Sequence, residues 1–363
     1  METYIFISYG HDDCGEHGAR VIYEYLKQDD SNLLIWWDRK IKPAAEWLLE
    51  IDQHLEELIS RKPDSCLVYV ATPHSTSVER ENFCINEIVK AVGARVRVIP
   101  VKLVETSMPL LLCNKQWLDL SDIRLDEANL ELQRRMANLR AIIKEGKELP
   151  RDGKQEVMMN MLEPCNFSLD LDKHLTNYVP RQWLLDTLKQ WIEHSDEKLL
   201  LLLGGPGTGK TAFSIWMSYS ELSQYVAAWH LCQYNDVRTC SLRNAVKTIA
   251  YYLASRIPAY YQMLSIADID KILSDPNFDA GTLFKVLILE KVQKINHDSP
   301  LVILIDALDE ASVNGHNELA EMFGQYIQQL PAWLKIVVTS RNDPSITTCL
   351  ADCARVVDLD NEL

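Results

Sequence analysis

Nothing in this 363-residue chain is apolar for long. Its aliphatic runs, such as the five leucines at 199–203 and LVILI at 301–305, fall far short of the ~20 residues a membrane-crossing helix needs. The N-terminus, METYIFISYGHDD, lacks a basic segment ahead of an apolar one, so it does not read as a signal peptide. The nine cysteines (Cys14, Cys66, Cys84, Cys113, Cys165, Cys232, Cys240, Cys349 and Cys353) are odd in number, scattered, and contain no C-x-x-C pair. That spacing suits neither a disulfide framework nor a zinc site; it fits free thiols in a reducing cytoplasm. No run of five basic residues occurs and the net charge is −15, a balance that repels nucleic-acid phosphate. There is no H-E-x-x-H pattern and no repeat of 20–50 residues, which argues against a zinc protease and against a solenoid or propeller.

What is there is ordinary globular material. Hydrophobic residues make up 47 % and charged residues 25 %, enough for real cores. At about 150 residues per domain, the length suits two domains. The order of segments predicts two α/β units. YIFIS (4–8), LLIWW (33–37), CLVYVA (66–71) and RVRVIPV (96–102) read as buried strands, with helices over 15–28, 46–60 and 82–93 between them. Alternation of this kind implies a parallel sheet covered on both faces. A further helix is expected over 126–145, where Leu132, Met136, Leu139 and Ile143 share a face. The first domain is set at 1–145 and a linker at 146–173, beginning with the charge-, Gly- and Pro-rich EGKELPRDGKQE (145–156). A second domain over 174–363 starts with a helix at 182–193 presenting Leu184, Leu188, Trp191 and Ile192. Strands follow at 199–205, 225–232, 301–306, 334–340 and 354–360. His230 and Cys232 lie on an apolar strand and read as core rather than as ligands.

The most specific signal is Gly204-Gly205-Pro206-Gly207-Thr208-Gly209-Lys210-Thr211, a full match to G-x-x-x-x-G-K-[ST] between a strand and a helix-compatible stretch. Glycines let such a loop turn its N–H groups toward phosphate oxygens, and the following helix N-terminus adds its dipole. Lys210 is expected on the β- and γ-phosphates of ATP (or dATP), and the Thr211 hydroxyl on Mg²⁺. In LVILIDALDE a buried strand delivers Asp306 to the sheet edge as the second Mg²⁺ ligand. Asp309 or, more so, Glu310 is placed to orient an attacking water. Thr339-Ser340-Arg341 ends a third strand, and Arg341 is either a γ-phosphate sensor or a surface charge.

GGPGTGKT, LIDALDE and VVTSR together resemble the NACHT-type nucleotide switch of the STAND class of signalling ATPases, over about 174–363. The resemblance places Tyr178-Val179-Pro180-Arg181, and in it Val179 and Arg181, against adenine; Pro180 stands where the family usually has Gly. The family normally continues into helical and winged-helix subdomains and a repeat-rich sensor. This chain stops about twenty residues after Arg341, so it is either a fragment or works without those parts.

Residues 1–145 resemble a TIR (Toll/interleukin-receptor) domain, through FISYGHDD (6–13), IWWDRKIKPAAEW (35–47), NFCINEIVKAV (82–92) and VIPVKL (98–103). The resemblance implies a flavodoxin-like fold. It also places Glu87, four residues after the aromatic Phe83, where NAD-cleaving members carry their catalytic Glu. The loop that usually reads P-G-x-x-W is Pro43-Ala44-Ala45-Glu46-Trp47 here. Read from the residues alone, Ile85, Ile88, Val89 and Val92 form an apolar stripe, while Phe83 and Glu87 are i, i+4 neighbours facing away from the core. An aromatic plate beside a carboxylate suits a nucleotide pocket. Cleaving the nicotinamide–ribose bond passes through an oxocarbenium-like state, and nicotinamide leaves neutral, so one carboxylate suffices. Trp47 and Phe83 are expected to stack on flat rings. Ser8 and Tyr9 line the crevice or are simple turn residues, and Trp36, Trp37 and Asp38 are structural.

Three readings follow. In the first, ATP-driven self-association clusters TIR units and completes an NAD⁺-hydrolysing site, the design of immune and antiphage effectors. In the second, the TIR domain is a non-enzymatic adaptor that recruits other TIR proteins. In the third, the protein is a plain ATPase motor with a passive N-terminal domain.

Overall fold

The computed structural model describes residues 2–360 except 29–31, 39–43, 77–82, 107, 113–114, 127–128, 148, 150–152, 166, 168–180, 219 and 276–278. It falls into two units: Met1–Arg151 with Ser168–Asp172, and Asp152–Phe167 with Lys173–Leu363.

The first unit is a parallel sheet of β1 (Thr3–Tyr9), β2 (Leu33–Trp36), β3 (Ser65–Ala71), β4 (Arg97–Lys102) and β5 (Leu118–Asp119), ordered β2-β1-β3-β4-β5. Its strands are apolar at nearly every position because both faces are covered. Ile5, Ile7 and Tyr9 of β1 pack with Ile22 and Leu26 of α1 (Asp13–Lys27) and with Leu132, Met136 and Leu139 of α5 (Leu130–Glu145). The opposite face lies under α2 (Ala44–Ser60) and α4 (Cys84–Gly93), with the short α3 (Pro73–Thr76) leading toward α4. There the Tyr4 hydroxyl meets Nδ1 of His54 on α2 at 2.8 Å. Strand periodicity of two therefore sends Tyr4, Phe6 and Ser8 toward α2 and α4. The end of α5 is held from the sheet: the Arg97 guanidinium donates to the carbonyls of Ile142 and Ile143, each at 2.9 Å, and so satisfies groups a helix terminus leaves open. The two-residue β5 carries too little pattern to read from sequence; it is defined only by its pairing with β4.

The second unit is also a parallel five-stranded sheet. It comprises β6 (Leu199–Leu203), β7 (Val226–Leu231), β8 (Leu301–Asp306), β9 (Leu334–Ser340) and β10 (Arg355–Asp358), ordered β10-β6-β9-β8-β7. Thus β9 lies between the strand ahead of the glycine-rich loop and the strand ending in Asp306. α7 (Gln182–His194) buries Leu184, Leu188, Trp191 and Ile192, as its periodicity predicts. Its last turn is capped by the buried Lys335, whose ammonium donates to the Trp191 and Ser195 carbonyls at 2.7 and 2.6 Å. His230 and Cys232 are core.

One stretch differs from its expected form. Within 146–173, α6 (Gly153–Leu162) is helical and belongs to the second unit. It buries Met158 and Leu162, a pair at i, i+4 that the charged residues around it mask in the sequence. Behind it, Glu163 pairs with the buried Lys247 at 2.9 Å, and the Cys165 N–H donates to Thr248 Oγ1 at 3.0 Å. Both partners lie on α9 (Leu242–Arg256). The buried Phe167 then sets its ring edge-on to Trp229 and His230 at 5.5 and 5.4 Å. Phe167→Ala is expected to cost about 3–5 kcal/mol through the cavity it leaves. Denaturant unfolding of the full chain checks this: a midpoint unchanged from wild type would show that this segment does not hold the unit together.

Candidate active sites

In the first unit the residues of interest meet at the carboxyl end of β1. The order β2-β1-β3 makes this a topological switch point, where neighbouring strands lead to opposite faces and open a crevice. Glu87 sits one turn into α4 and is only 7 % exposed, so α4 turns this carboxyl inward where a face pointing away from the core is expected. The reason is placement: α4 packs against β1, β3 and β4 as well as α2 and α3, so the flank carrying Glu87 also meets protein. Burial pushes the Glu87 pKa up to about 7; the nearby Ser8 hydroxyl opposes this and the Asp38 charge adds to it. The Ser8 Oγ is itself buried, and among the described residues no partner meets it in hydrogen-bond geometry. It lies close enough to Glu87 and Cys84 to favour their charged forms, without a well-formed bond to either.

Tyr9 is adjacent in sequence but points to the other face, where its hydroxyl donates to the Asp38 carbonyl and its ring stacks on His11 at 5.0 Å. Ser8 lies beside Glu87, while the Tyr9 hydroxyl, whose pKa is raised first by burial, is still near enough for the Glu87 charge to add to that rise. Phe83 is half-buried at the start of α4, and its carbonyl accepts the Glu87 N–H at 3.1 Å. The Trp47 side chain lies outside the described residues. Trp36 and Trp37 pack on Phe6 and on Tyr9 and Tyr23, as structural residues do. Sequence reasoning did not single out Cys84 or His11. Cys84 is buried three residues before Glu87, and its thiol pKa is driven up first by burial and then by Glu87. Burial lowers the His11 pKa, and the Asp38 charge opposes this.

In the second unit, Gly204–Thr211 joins β6 to α8 (Lys210–Met217). Gly207 and Gly209 have φ of 81° and 86°, a left-handed backbone that L side chains adopt with strain, so these two positions need glycine. The Lys210 ammonium folds over the loop and donates to the carbonyls of Gly204 at 2.6 Å and Gly205 at 2.8 Å. Its pKa is lowered by burial, which Asp309 and Asp306 partly offset. The loop is braced from two sides. The Gly205 N–H donates to Asp360 at 2.7 Å, and the Arg181 guanidinium bridges the carbonyls of Thr208 at 3.2 Å and Leu359 at 3.3 Å. Arg181 thus reaches the loop itself, while Val179 lies outside the described residues. Pro206 lies between the braced Gly205 and the left-handed Gly207.

Asp306 is buried at the end of β8. Its Oδ1 accepts hydroxyl protons from Ser214 and Thr339, both at 2.6 Å. Thr211, expected beside Asp306, lies one turn earlier on α8; the hydroxyl that reaches the carboxylate is Ser214's. Asp309 accepts the Arg341 N–H at 3.0 Å and pairs with its guanidinium at 3.3 Å, so Arg341 is tied to the acidic turn. Glu310 accepts the Tyr234 N–H at 2.8 Å. Ser214 and Thr339 are the residues that motif reading missed; the faint signal for Ser214 is a hydroxyl three residues after Thr211.

Residues 5–134 match the TIR domain family, and residues 180–341 match the family described as nephrocystin 3, N-terminal. The chain therefore carries a flavodoxin-like TIR domain, followed by a second α/β domain of the nephrocystin 3 N-terminal type. This order is consistent with a TIR domain fused to a NACHT-like NTPase region. Among solved structures, the chain is similar to EssC (ATPases 2 and 3) from Geobacillus thermodenitrificans, at 11 % identity, 99 % of this chain, 77 % of that one and a TM-score of 0.24. The cytoplasmic domain of the Thermomonospora curvata type VII secretion ATPase EccC is matched at 9 % identity, 98 % of this chain, 48 % of that one and a TM-score of 0.24. Overlaps that loose carry no argument about this chain. Among the described residues no helix is long and apolar enough to cross a membrane.

Proposed function

We propose that the TIR unit cleaves the nicotinamide–ribose bond of NAD⁺ through Glu87, and that the second unit is a slow, Mg–ATP-dependent (or dATP-dependent) switch whose self-association brings TIR units together. The observation that carries the first part is the Glu87 carboxyl, buried beside the Ser8 hydroxyl at the β1 switch point. In the reaction the C1′–N1 bond breaks, its electron pair leaves with nicotinamide, and positive charge develops on the ribose. An ionised Glu87 stabilises that charge and holds the ribose hydroxyls, while Ser8 offers a donor to the same atoms. Phe83 flanks the carboxylate. Water then adds at C1′ and releases a proton, giving ADP-ribose. Because burial disfavours the ionised form, a cationic nicotinamide ring is the partner such a carboxylate favours.

For the second unit, the support is the loop's left-handed glycines, Lys210, and the oxygen donors of Thr211 and Asp306, a set suited to phosphate and to a hard cation. Bound Mg²⁺ supplies charge neutralisation at the phosphates. Lys210 would leave the loop carbonyls for phosphate, Glu310 would orient water, and Arg341 would report the γ-phosphate. Slow turnover suits a latch. Both ligands are anionic and the chain is strongly acidic, so binding rests on these local donors against the overall charge.

The test is NAD⁺ loss by the full chain, with and without ATP, for wild type and Glu87→Ala. Loss that requires Glu87 and rises with ATP supports the reading. Equal depletion by both proteins removes the enzyme and leaves a TIR adaptor that recruits other TIR proteins. Fast phosphate release with NAD⁺ intact would point to a plain ATPase.

A further inference from the structure

Three consecutive residues at the end of β9 each hold a different part of the loop site. The Thr339 hydroxyl donates to Asp306 Oδ1 at 2.6 Å and accepts the Ala307 N–H at 2.9 Å. The Ser340 carbonyl accepts the Gly204 N–H at 3.2 Å. Arg341 engages Asp309 through its N–H and its guanidinium. The central position of β9, between β6 and β8, makes this possible.

The hydroxyl pair on Asp306 is the informative part. Ser214 comes from α8 and Thr339 from β9; both are fully buried, and both donate to the same carboxylate oxygen. A hydroxyl has one proton. Thr339 accepts from Ala307, which fixes the direction of its own proton toward Oδ1. Among the described residues no hydrogen bond reaches Oδ2. A carboxylate on a strand end otherwise turns readily about its last torsion; two short bonds on one oxygen set its plane and leave the second oxygen unspent. The spacing on α8 adds to this. Thr211 and Ser214 are i, i+3 neighbours on one helix face, and it is the Ser214 hydroxyl that takes the carboxylate. Ala307 itself has φ 52°, strained for a residue with a side chain. Its N–H bond to Thr339 anchors the turn that carries Asp309 and Glu310.

We infer that Thr339 and Ser214 are positioning residues that clamp Asp306 by Oδ1, so that Oδ2 is presented to the Mg²⁺ accompanying a bound nucleoside triphosphate. This rests on the nucleotide reading above and deepens it. Outer groups of this kind typically set metal affinity by about 10–100-fold.

The experiment titrates Mg²⁺ into the full chain with a fluorescent ATP analogue, and repeats analogue binding in EDTA; neither requires turnover. Thr339→Val is expected to raise the Mg²⁺ concentration at half-maximal enhancement by about 10–100-fold and to leave affinity in EDTA within about twofold. Ser214→Ala should act in the same direction, and Thr339→Ser, which keeps the hydroxyl, should titrate like wild type. Should Thr339→Val fail to fold, Ser214→Ala, on a different element, decides between the outcomes. A Mg²⁺ midpoint unchanged in both variants overturns the inference; so does an equal loss of affinity with and without Mg²⁺, which would make the clamp merely structural. A wild-type chain that binds the analogue under neither condition overturns the nucleotide reading itself, and the inference with it.

Discussion

Glu87→Gln is expected to melt higher than wild type at pH 8 and to lose NAD⁺ cleavage. The two effects have one cause. Burial lifts the Glu87 pKa from 4.5 to about 7, so the folded state holds this proton more tightly than the unfolded chain does. Stability from the group is therefore fully present below pH 4.5 and is lost as pH rises through about 7. At pH 8 the wild type keeps a buried charge, at a cost of roughly 3 kcal/mol. Glutamine is neutral at every pH and escapes that cost, so its melting temperature at pH 8 should be higher by roughly 5–10 °C. At about pH 4, below the ordinary pKa of 4.5, the two proteins should melt together. The charge that weakens the fold is the charge the proposed cleavage needs. Wild-type kcat/KM for NAD⁺ should rise with pH through the region of the Glu87 pKa. The variant should be lower by about 10²–10³-fold, the scale seen when one electrostatic stabiliser is removed. Melts from about pH 4 to 9 and NAD⁺ assays from about pH 5 to 9 check this. Coincident melting at pH 8 would show that the carboxyl is not confined as described, and unchanged cleavage would exclude it from the chemistry.

Lys210→Ala should weaken ATP binding by on the order of 10²-fold or more, because in the proposed complex the ammonium would leave the loop carbonyls and make charge-assisted bonds to phosphate. Its effect on the fold should be small. Of the two carbonyls it serves, Gly204's is in a buried residue and Gly205's in a half-exposed one, so stability should fall by no more than about 2 kcal/mol. Calorimetric titration with ATP and a thermal melt separate the two. The same variant tests coupling: NAD⁺ loss in the presence of ATP should fall to the level seen without it. If cleavage is untouched while ATP binding is gone, the two units do not communicate through nucleotide, even with both sites real.

Much of this architecture is legible before any coordinates. LLLLL and LVILID can only be strands buried on both sides, and Leu184, Leu188, Trp191 and Ile192 mark a helix by spacing alone. The loop motif names its own lysine, because its chemistry is local: eight consecutive residues carry it. Local pattern misjudges Gly153–Leu162, where a charged stretch conceals a Met158–Leu162 pair that finds its partners in the second unit. It also misplaces the Glu87 face, because helical periodicity ranks one side of α4 as core and is silent about what the other side meets.

What the sequence by itself determined is therefore the two α/β units, all their strands but β5, and the residues able to do chemistry. Each follows from spacing within a few turns of chain. What only the tertiary structure decided is which of those residues meet. Ser8 and Tyr9 are neighbours in sequence, yet the pleat sets Ser8 beside Glu87 and packs the Tyr9 ring into the core on the other face. Asp306 and Thr339 are 33 residues apart and meet because β9 inserts beside β8. Strand order and helix docking are settled by contacts between distant segments, and those contacts aim a carboxylate that the sequence could only name.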